Sequence, residues 1–462
     1  KYIMVSGQQL GKIRAIKDKL PAVRKIIVLD ELAEYQDREM PLSEIRRMGK
    51  VYLGIHPLEE FLAIGQSLGN DDYATITYTS GTTADPKGVI LTHRNYTANV
   101  EQALTCVDID DTWRTLVILP LDHCFAHVVG FYIFMSKGAS VATVQVGRTG
   151  METLKNIPIN IKEFKPYLIL SVPALAKNFK KNIEQGIRAR GKNAARLFNL
   201  ALRIGYIYNG DSDEEEGKGF RVLLKPLVRL FDKLLFAKVR ENFGGELKFF
   251  IGGGALLDKD LQKFYYALGI PMYQGYGLSE ATPIISTNGS SAASDVYKRQ
   301  VLVRPLDLKI CDMDGNVLPP GEKGEIVIRG ENVMAGYWKN PASTADTVKE
   351  GWLYTGDMGY MRDGLLYVLG RFKSLLIGSD GEKYSPEGIE EALVEHSSCI
   401  DQLILYNNQS PYTTALLVPN KERLRKHLAH QNLDLTSDQG REEAIRTIQR
   451  QINPVSYTHL TL

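Results

Sequence analysis

The stretch TITYTSGTTADPKGVILTH, Thr75 to His93, concentrates the side chains best suited to hold phosphate. Between two apolar, β-prone runs it sets Thr79, Ser80, Gly81, Thr82, Thr83, Lys87 and Gly88. Hydroxyls, accessible backbone N–H groups and one ammonium suit a polyphosphate, because glycine lets the backbone approach anionic oxygens closely. The order is not that of the Walker loop: Lys87 precedes Gly88, and no Ser or Thr follows the lysine. A polar hairpin loop is the plainer reading of a short Gly/Ser/Thr run, and the full string from Tyr78 to Gly88 disfavours it. A second glycine run, IGGGALLDKD (Ile251–Asp260), follows the apolar LKFFI. Its Gly252, Gly253 and Gly254 would let flat groups pack against backbone, with a helix-entry turn as the alternative.

Such loops need rigid elements behind them. Short β-rich runs (Lys25–Leu29, Thr75–Thr79, Leu116–Leu119, Tyr167–Ser171) alternate with helix-like stretches, which predicts βαβ units and a largely parallel sheet. Thr75–Thr79 reads as a buried strand feeding the phosphate loop. Between Leu197 and Gly245 long helices take over, and Leu227, Leu230, Phe231, Leu234 and Leu235 mark one apolar face at helical spacing. The acidic run Asp211–Gly219 between these helices reads as a solvated loop. From Val303 onward Asp-Gly turns (DMDGN, RDGLL, SDGEK) predict hairpins. The predicted fold class is α/β: a large multi-layer α/β N-terminal body, residues 1–370, with a smaller α+β C-terminal domain, residues 371–453.

Composition narrows the function. The 462 residues carry 56 Lys and Arg against 54 Asp and Glu, a formal charge of +2, with 44% hydrophobic and 24% charged residues. That is an ordinary globular balance with room for a sizeable core. It gives no electrostatic footprint for nucleic acid. Four cysteines (Cys106, Cys124, Cys311, Cys399) form neither a disulfide framework nor a C-x-x-C pair, which points to a reducing, cytoplasmic compartment. The most apolar window, Val128–Val146, is broken by Lys137, Gly138 and Gln145, and reads as a buried helix running into a buried strand rather than a membrane span. The chain opens on Lys1 without a signal peptide and reads as a fragment.

The Thr75–His93 string resembles the phosphate-binding signature of the adenylate-forming enzymes, the superfamily of acyl-CoA synthetases, luciferases and peptide-synthetase adenylation domains. Five further segments are similar to that family's motifs in order and spacing. QGYGLSEATP (Gln274–Pro283) implies that Tyr276 stacks on adenine, that Gly277 and Ser279 line the nucleotide site, and that Glu280, with Thr79, holds Mg²⁺. A carboxylate beside a triphosphate is a hard oxygen ligand for that ion. The Ile251–Asp260 run resembles the segment beside the nucleotide and acyl pocket, which implies contacts from Gly252, Gly253, Gly254 and Ala255. WLYTGDMGYM (Trp352–Met361) implies that Asp357 binds the ribose hydroxyls. LGRFKSLLIGSDGEKYSPEGIE (Leu369–Glu390) implies that Arg371 reaches ribose or phosphate, that Lys373 is the hinge of a mobile C-terminal module, and that a segment near Ser379–Gly381 faces CoA. LPLDHCFAHVVGF (Leu119–Phe131) resembles the segment beside the acyl channel, with His123 at its mouth; a structural histidine is the even alternative. Lys87, Glu280 and Arg371 are the implied catalytic residues, and ATP, Mg²⁺ and CoA the implied cofactor and co-substrates.

The helical stretch Asn182–Asn242 is similar to that of long-chain fatty acyl-CoA synthetases, where extra helices could wall a long acyl tunnel. The resemblance thus implies ATP-dependent activation of a long-chain fatty acid to acyl-adenylate, then transfer to CoA with release of AMP and pyrophosphate. A carrier-loading ligase that makes acyl-AMP without free CoA, and an inactive nucleotide or acyl binder, are the alternatives. Lys177, Lys180, Lys181, Arg188, Arg190, Lys192 and Arg196 could meet anionic lipid at the inner face of a membrane, against the plainer reading of a solvated helix face. Residues 289–300 and 454–462 break the neighbouring patterns and read as artefactual sequence replacing native residues. The family's adenylating lysine would lie beyond Pro454, so the chain as written is expected to adenylate poorly.

Overall fold

A computed structural model describes residues 1–79, 86–147, 149–209, 218–255, 257–288, 299–371, 376–377, 383–384, 386, 389–390, 393–394, 397–407, 410, 412–429, 431 and 433–459. Ser80, Gly81, Thr82, Thr83, Lys373, most of the acidic run and residues 289–298 therefore lie outside the described residues. The chain divides into two compact units, Lys1–Asp72 and Tyr73–Leu462.

In the first unit three parallel strands, Tyr2–Val5, Lys25–Val28 and Glu39–Pro41, lie side by side in that order. Val5, Leu10, Ile26 and Val28 form its small core. Glu39 is buried and takes both Arg14 Nε and Nη2, at 2.8 and 2.7 Å. Those bonds hold its carboxyl below the ordinary glutamate range.

The second unit is built on a twelve-stranded sheet. One half is parallel, in the spatial order Ser140–Thr143, Arg114–Val117, Leu168–Ser171, Phe249–Gly252 and Met272–Gly277. Its central strands, LILS and FFIG, are buried at every residue, as strands covered on both faces must be. Ser140–Thr143, expected as a buried strand, is instead the half-exposed edge. The other half is antiparallel, as the hairpins expected from Val303 onward require, and the antiparallel run begins earlier than expected, at Ile284. Ile284–Thr287, Arg299–Leu302, Leu365–Arg371, Trp352–Arg362, Gly324–Arg329 and Asp307–Cys311 succeed one another in that order, and the short strand Val348–Lys349 pairs with Trp352–Arg362 off this path. The reason is connection length. Asp363 and Gly364, at φ +53° and +74°, turn Arg362 straight back onto Leu365, and a tight turn can only join antiparallel neighbours. Arg299 and Gln300, read above as foreign, are strand residues here, and Ser286 Oγ donates to Gln300 Oε1 at 2.6 Å. The last helix, Asp438–His459, runs through much of the suspect terminus.

A separate three-stranded sheet carries the phosphate hairpin, in the order Gly336–Tyr337, Lys87–Thr92, Tyr73–Thr79. The first hairpin strand is thus an edge, not a buried strand. Tyr73, Ile76 and Tyr78 are exposed, while Val89–Leu91 on the central strand are buried. The helix His93–Ala103 starts directly after it on a capping box between Thr92 and Asn95.

The helical region also departs from its apolar stripe. Lys218–Phe231 runs into a π-helical turn, Asp232–Phe236, before Ala237–Arg240 resumes. Phe231, Phe236 and Val239 are buried, Leu227 and Leu230 ahead of the turn are exposed, and the wider turn re-aims the residues after it, leaving Leu234 half-exposed. Residues from 376 onward make a small α+β assembly around Leu376, Leu393, Ile400, Leu403 and Leu405.

Candidate active site

Hairpin register sets Thr79 opposite Lys87, with the Thr79 hydroxyl donating to the Lys87 carbonyl at 3.4 Å. The intervening loop, with Ser80 to Thr83, lies outside the described residues. The Lys87 ammonium sits 4.9 Å from the ring centroid of Tyr337, within cation–π range. Gly336–Tyr337 pairs with Val89 and Ile90, which fixes that ring next to the lysine. The Tyr337 hydroxyl donates to Glu280 Oε1 at 2.8 Å. Burial first, then the Glu280 charge, pushes the Tyr337 phenol well above its ordinary value, so it stays a donor. Lys87, Tyr337 and Glu280 therefore form one chain of contacts from hairpin to carboxylate. Glu280 stands on the short turn Ser279–Ala281, and its carbonyl accepts from Met334 N at 2.9 Å.

A second cluster lies on the antiparallel half of the sheet. Asp357 and Arg371 are directly paired on adjacent strands, and Arg371 Nε meets Asp357 Oδ1 at 3.1 Å. Asp357 Oδ2 accepts from the Tyr276 hydroxyl at 2.8 Å, and its side chain is only 9% exposed. Burial, followed by the adjacent Asp357 charge, raises the Tyr276 phenol well above its ordinary range. Three residues named from separate motifs thus share one carboxylate.

The glycine run emerges from strand Phe249–Gly252 at the parallel end of the sheet. Gly253 N donates to Ser171 O at 3.1 Å, and a Cβ on Gly253 would lie 3.0 Å from the Phe125 ring. Gln274 pins the run: its Oε1 accepts from Leu257 N at 2.6 Å, and its Nε2 donates to Ala255 O at 3.1 Å. Gly277 comes after a bulge, and a Cβ there would collide with the Pro283 carbonyl.

Between these elements runs a narrow apolar pocket, with about 80 Å³ of free volume. His123, Gly253, Gly254, Tyr276, Gly277 and Ser279 line it together with Phe125, Val129, Ile133, Leu168 and Ile251. Gly252 and Ala255 are not among its lining residues. Sequence reasoning missed Tyr337, Gln274 and His127. His127 stacks on Tyr132 at 4.5 Å, and burial lowers its pKa. Only the aromatic-rich spacing around LPLDHCFAHVVGFY hinted at it.

Among the described residues no group of three or more His, Cys, Asp or Glu could hold a metal ion. Glu280 offers a carboxylate joined to the hairpin through Tyr337. A single carboxylate fits Mg²⁺ that arrives on nucleotide phosphates, since that ion commonly takes one or two protein carboxylates and fills the rest with phosphate and water. No helix among the described residues is long and apolar enough to cross a membrane.

This architecture is similar to that of an anthranilate CoA ligase, AuaEII, solved in complex with anthranoyl-AMP. The TM-score is 0.63 at 20% identity, covering 92% of this chain and 70% of that one. MatB from Rhodopseudomonas palustris, solved with ATP bound, gives a TM-score of 0.60 at 19% identity, over 91% of this chain and 69% of that one. The chain belongs to the AMP-binding enzyme family, whose pattern matches residues 1–338. It is 32% identical over 363 residues to the long-chain-fatty-acid–CoA ligase FadD15 of Mycobacterium bovis, covering 77% of this chain and 56% of that protein. It is 31% identical over 396 residues to the chloroplastic long-chain-fatty-acid–[acyl-carrier-protein] ligase AEE15 of Arabidopsis thaliana, covering 78% of this chain and 53% of that protein. The chain spans about half the length of these curated relatives.

Proposed function

We propose that this protein activates a long-chain fatty acid with ATP to the acyl-adenylate and passes the acyl group to the thiol of CoA. The observation that carries the reading is the Lys87–Tyr337–Glu280 chain at the phosphate hairpin, with the Tyr276 ring shared between Asp357 and an apolar pocket. The narrow pocket suits an unbranched alkyl tail. In this reading Lys87, with the hydroxyls and backbone of Ser80–Thr83, holds the phosphates. Arg371 and Asp357 hold the ribose, and Tyr276, with Gly254, Ala255 and Ser279, holds the adenine end. The acyl carboxylate then attacks the α-phosphorus and pyrophosphate leaves. The protein's part is positioning and charge neutralisation. Mg²⁺ bound with the nucleotide would supply Lewis-acid neutralisation of phosphate charge, with Glu280 and Thr79 as its protein donors. Residues 371–453 serve as a lid turning at Lys373 between the two half-reactions.

A non-hydrolysable acyl-adenylate analogue tests this directly. Its affinity should exceed that of ATP and of the fatty acid alone. It should rise about fourfold for each buried methylene, from about 0.8 kcal/mol per CH₂. Affinity independent of tail length, or lost when the tail is aliphatic rather than aromatic, would overturn the fatty-acid assignment. The relative named as an acyl-carrier-protein ligase favours one further reading, transfer to a carrier thiol. Offering free CoA and a phosphopantetheinylated carrier side by side distinguishes the two.

A further inference from the structure

A second, roomier cavity, with about 420 Å³ of free volume, lies among the helices of the second unit. Three helical segments wall it: Gly150–Phe164, Pro173–Ala189, and the run from the π-turn Asp232–Phe236 to Phe243. Ile161, Phe179, Val239 and Phe243 form its buried walls, and the half-buried Ile183, Ile187 and Leu235 extend them outward. Lys162, Arg190 and Lys238 stand at its exposed rim, one from each wall, with the amides of Asn182 and Asn242. Among the described residues no acidic side chain lines it. The nearest acid on the π-turn, Asp232, is already held by Arg240 at 2.5 and 2.9 Å. π-turns recur at functional sites, and this one turns Leu234 and Leu235 toward the cavity.

An apolar trough lined by three cations and no acid matches one ligand chemistry, an alkyl chain ending in an anionic group. We propose that this cavity binds a single-chain anionic amphiphile, a fatty carboxylate or a monoacyl phosphate, at a site separate from the acyl pocket. The inference stands on this cavity alone and does not depend on the catalytic reading. It also narrows the membrane expectation drawn from the neighbouring basic residues. Lys180 is turned onto the Phe264 ring at 5.4 Å and Arg188 faces Glu184 at 3.8 Å, so of that cluster only Arg190 serves the cavity.

The test uses the full chain with Leu234→Trp, which sets an indole at the rim, and a brominated stearate as quencher. The parent chain supplies the background from Trp113, Trp338 and Trp352. Saturable quenching of the added indole is expected, with competition by unlabelled stearate and by lysophosphatidate. The brominated stearyl alcohol should bind about tenfold more weakly, and reversing all three charges (Lys162→Glu, Arg190→Glu, Lys238→Glu) should weaken the acid by a similar factor. Gly186→Phe should abolish the signal. A Cβ at Gly186 meets nothing within 4 Å, so the backbone accepts a side chain at this lining position, and circular dichroism checks the fold. The proposal fails if the added indole is not quenched. It fails equally if alcohol and acid bind alike, if Gly186→Phe leaves quenching intact, or if quenching occurs only with anionic phosphatidylglycerol vesicles and never with monomeric amphiphile.

Discussion

Tyr337→Phe isolates one hydroxyl in the proposed triphosphate site. The aromatic ring survives, so the Lys87 ammonium keeps its platform at 4.9 Å, while the 2.8 Å bond to Glu280 is lost. A hydrogen bond to a charged group contributes about 1.5–3 kcal/mol. Glu280 is half-buried and can recruit water in exchange, so the lower end applies, about 1.5 kcal/mol or roughly a tenfold change in Kd. Because Glu280 acts through Mg²⁺ in this reading, the loss should appear in the Kd for ATP with magnesium and largely vanish in EDTA. Tyr337→Leu removes the ring as well and should cost about another 0.5–1 kcal/mol, whether or not magnesium is present. Isothermal titration of parent and both variants, with and without the ion, gives all six values. Equal weakening of Tyr337→Phe in magnesium and in EDTA would refute the assignment of Glu280, as would a Kd within about twofold of the parent under both conditions.

Asp357→Asn should lower stability by about 1–3 kcal/mol in urea unfolding. The half-exposed Arg371 recovers water and keeps the loss modest, and Tyr276→Phe in the same background should add little, since both changes act on one bond. Gly253→Val drives methyl groups into the Phe125 ring and should destabilise by about 1–3 kcal/mol while removing fatty-acyl binding and sparing ATP, as titration with each ligand would reveal. Burial raises the phenols of Tyr96, Tyr276 and Tyr337, and pushes Tyr206 up to about 12. A raised phenol stabilises the fold fully below the unfolded tyrosine pKa of about 10 and loses that contribution as pH climbs through the folded value. The urea midpoint should therefore hold to about pH 9 and fall steadily above pH 10, with tyrosinate absorbance rising in two steps, exposed residues such as Tyr73 and Tyr78 first and the buried phenols only with unfolding.

The strand behind the glycine run was readable because a continuous apolar run bounded by Gly has few other uses, whereas TITYT was readable as a strand from its β-prone residues but not as an exposed edge. The Asp-Gly turns likewise marked the hairpin at Arg362–Leu365. Strand direction past Gly277 was not readable from the βαβ rhythm of the first half; short connections imposed it. The stripe Leu227–Leu235 misled at its far end because periodicity assumes 3.6 residues per turn throughout, and the π-turn at Asp232–Phe236 breaks that assumption; Leu227 and Leu230, ahead of it, are exposed on a regular helix. Within the site, Lys87, Tyr276, Glu280, Asp357 and Arg371 stood out by motif, but Tyr337 and the contacts that join these residues did not. Tyr337 lies 57 residues from Glu280 and Tyr276 lies 81 from Asp357, and no local pattern records such pairings.

The hairpin depends on partners made much later. Lys87–Thr92 takes its second neighbour from Gly336–Tyr337, and Asn95 Nδ2 bonds Glu331 O across 236 residues. At ribosomal rates of about 5–20 residues per second, a nascent chain carries that strand with one side uncovered for roughly ten to fifty seconds. An uncovered apolar strand is a template for pairing with another polypeptide. Yield in a host cell should thus respond to how fast the stretch between His93 and Gly336 is translated, and to chaperone supply during it, more than to the stability of the finished protein.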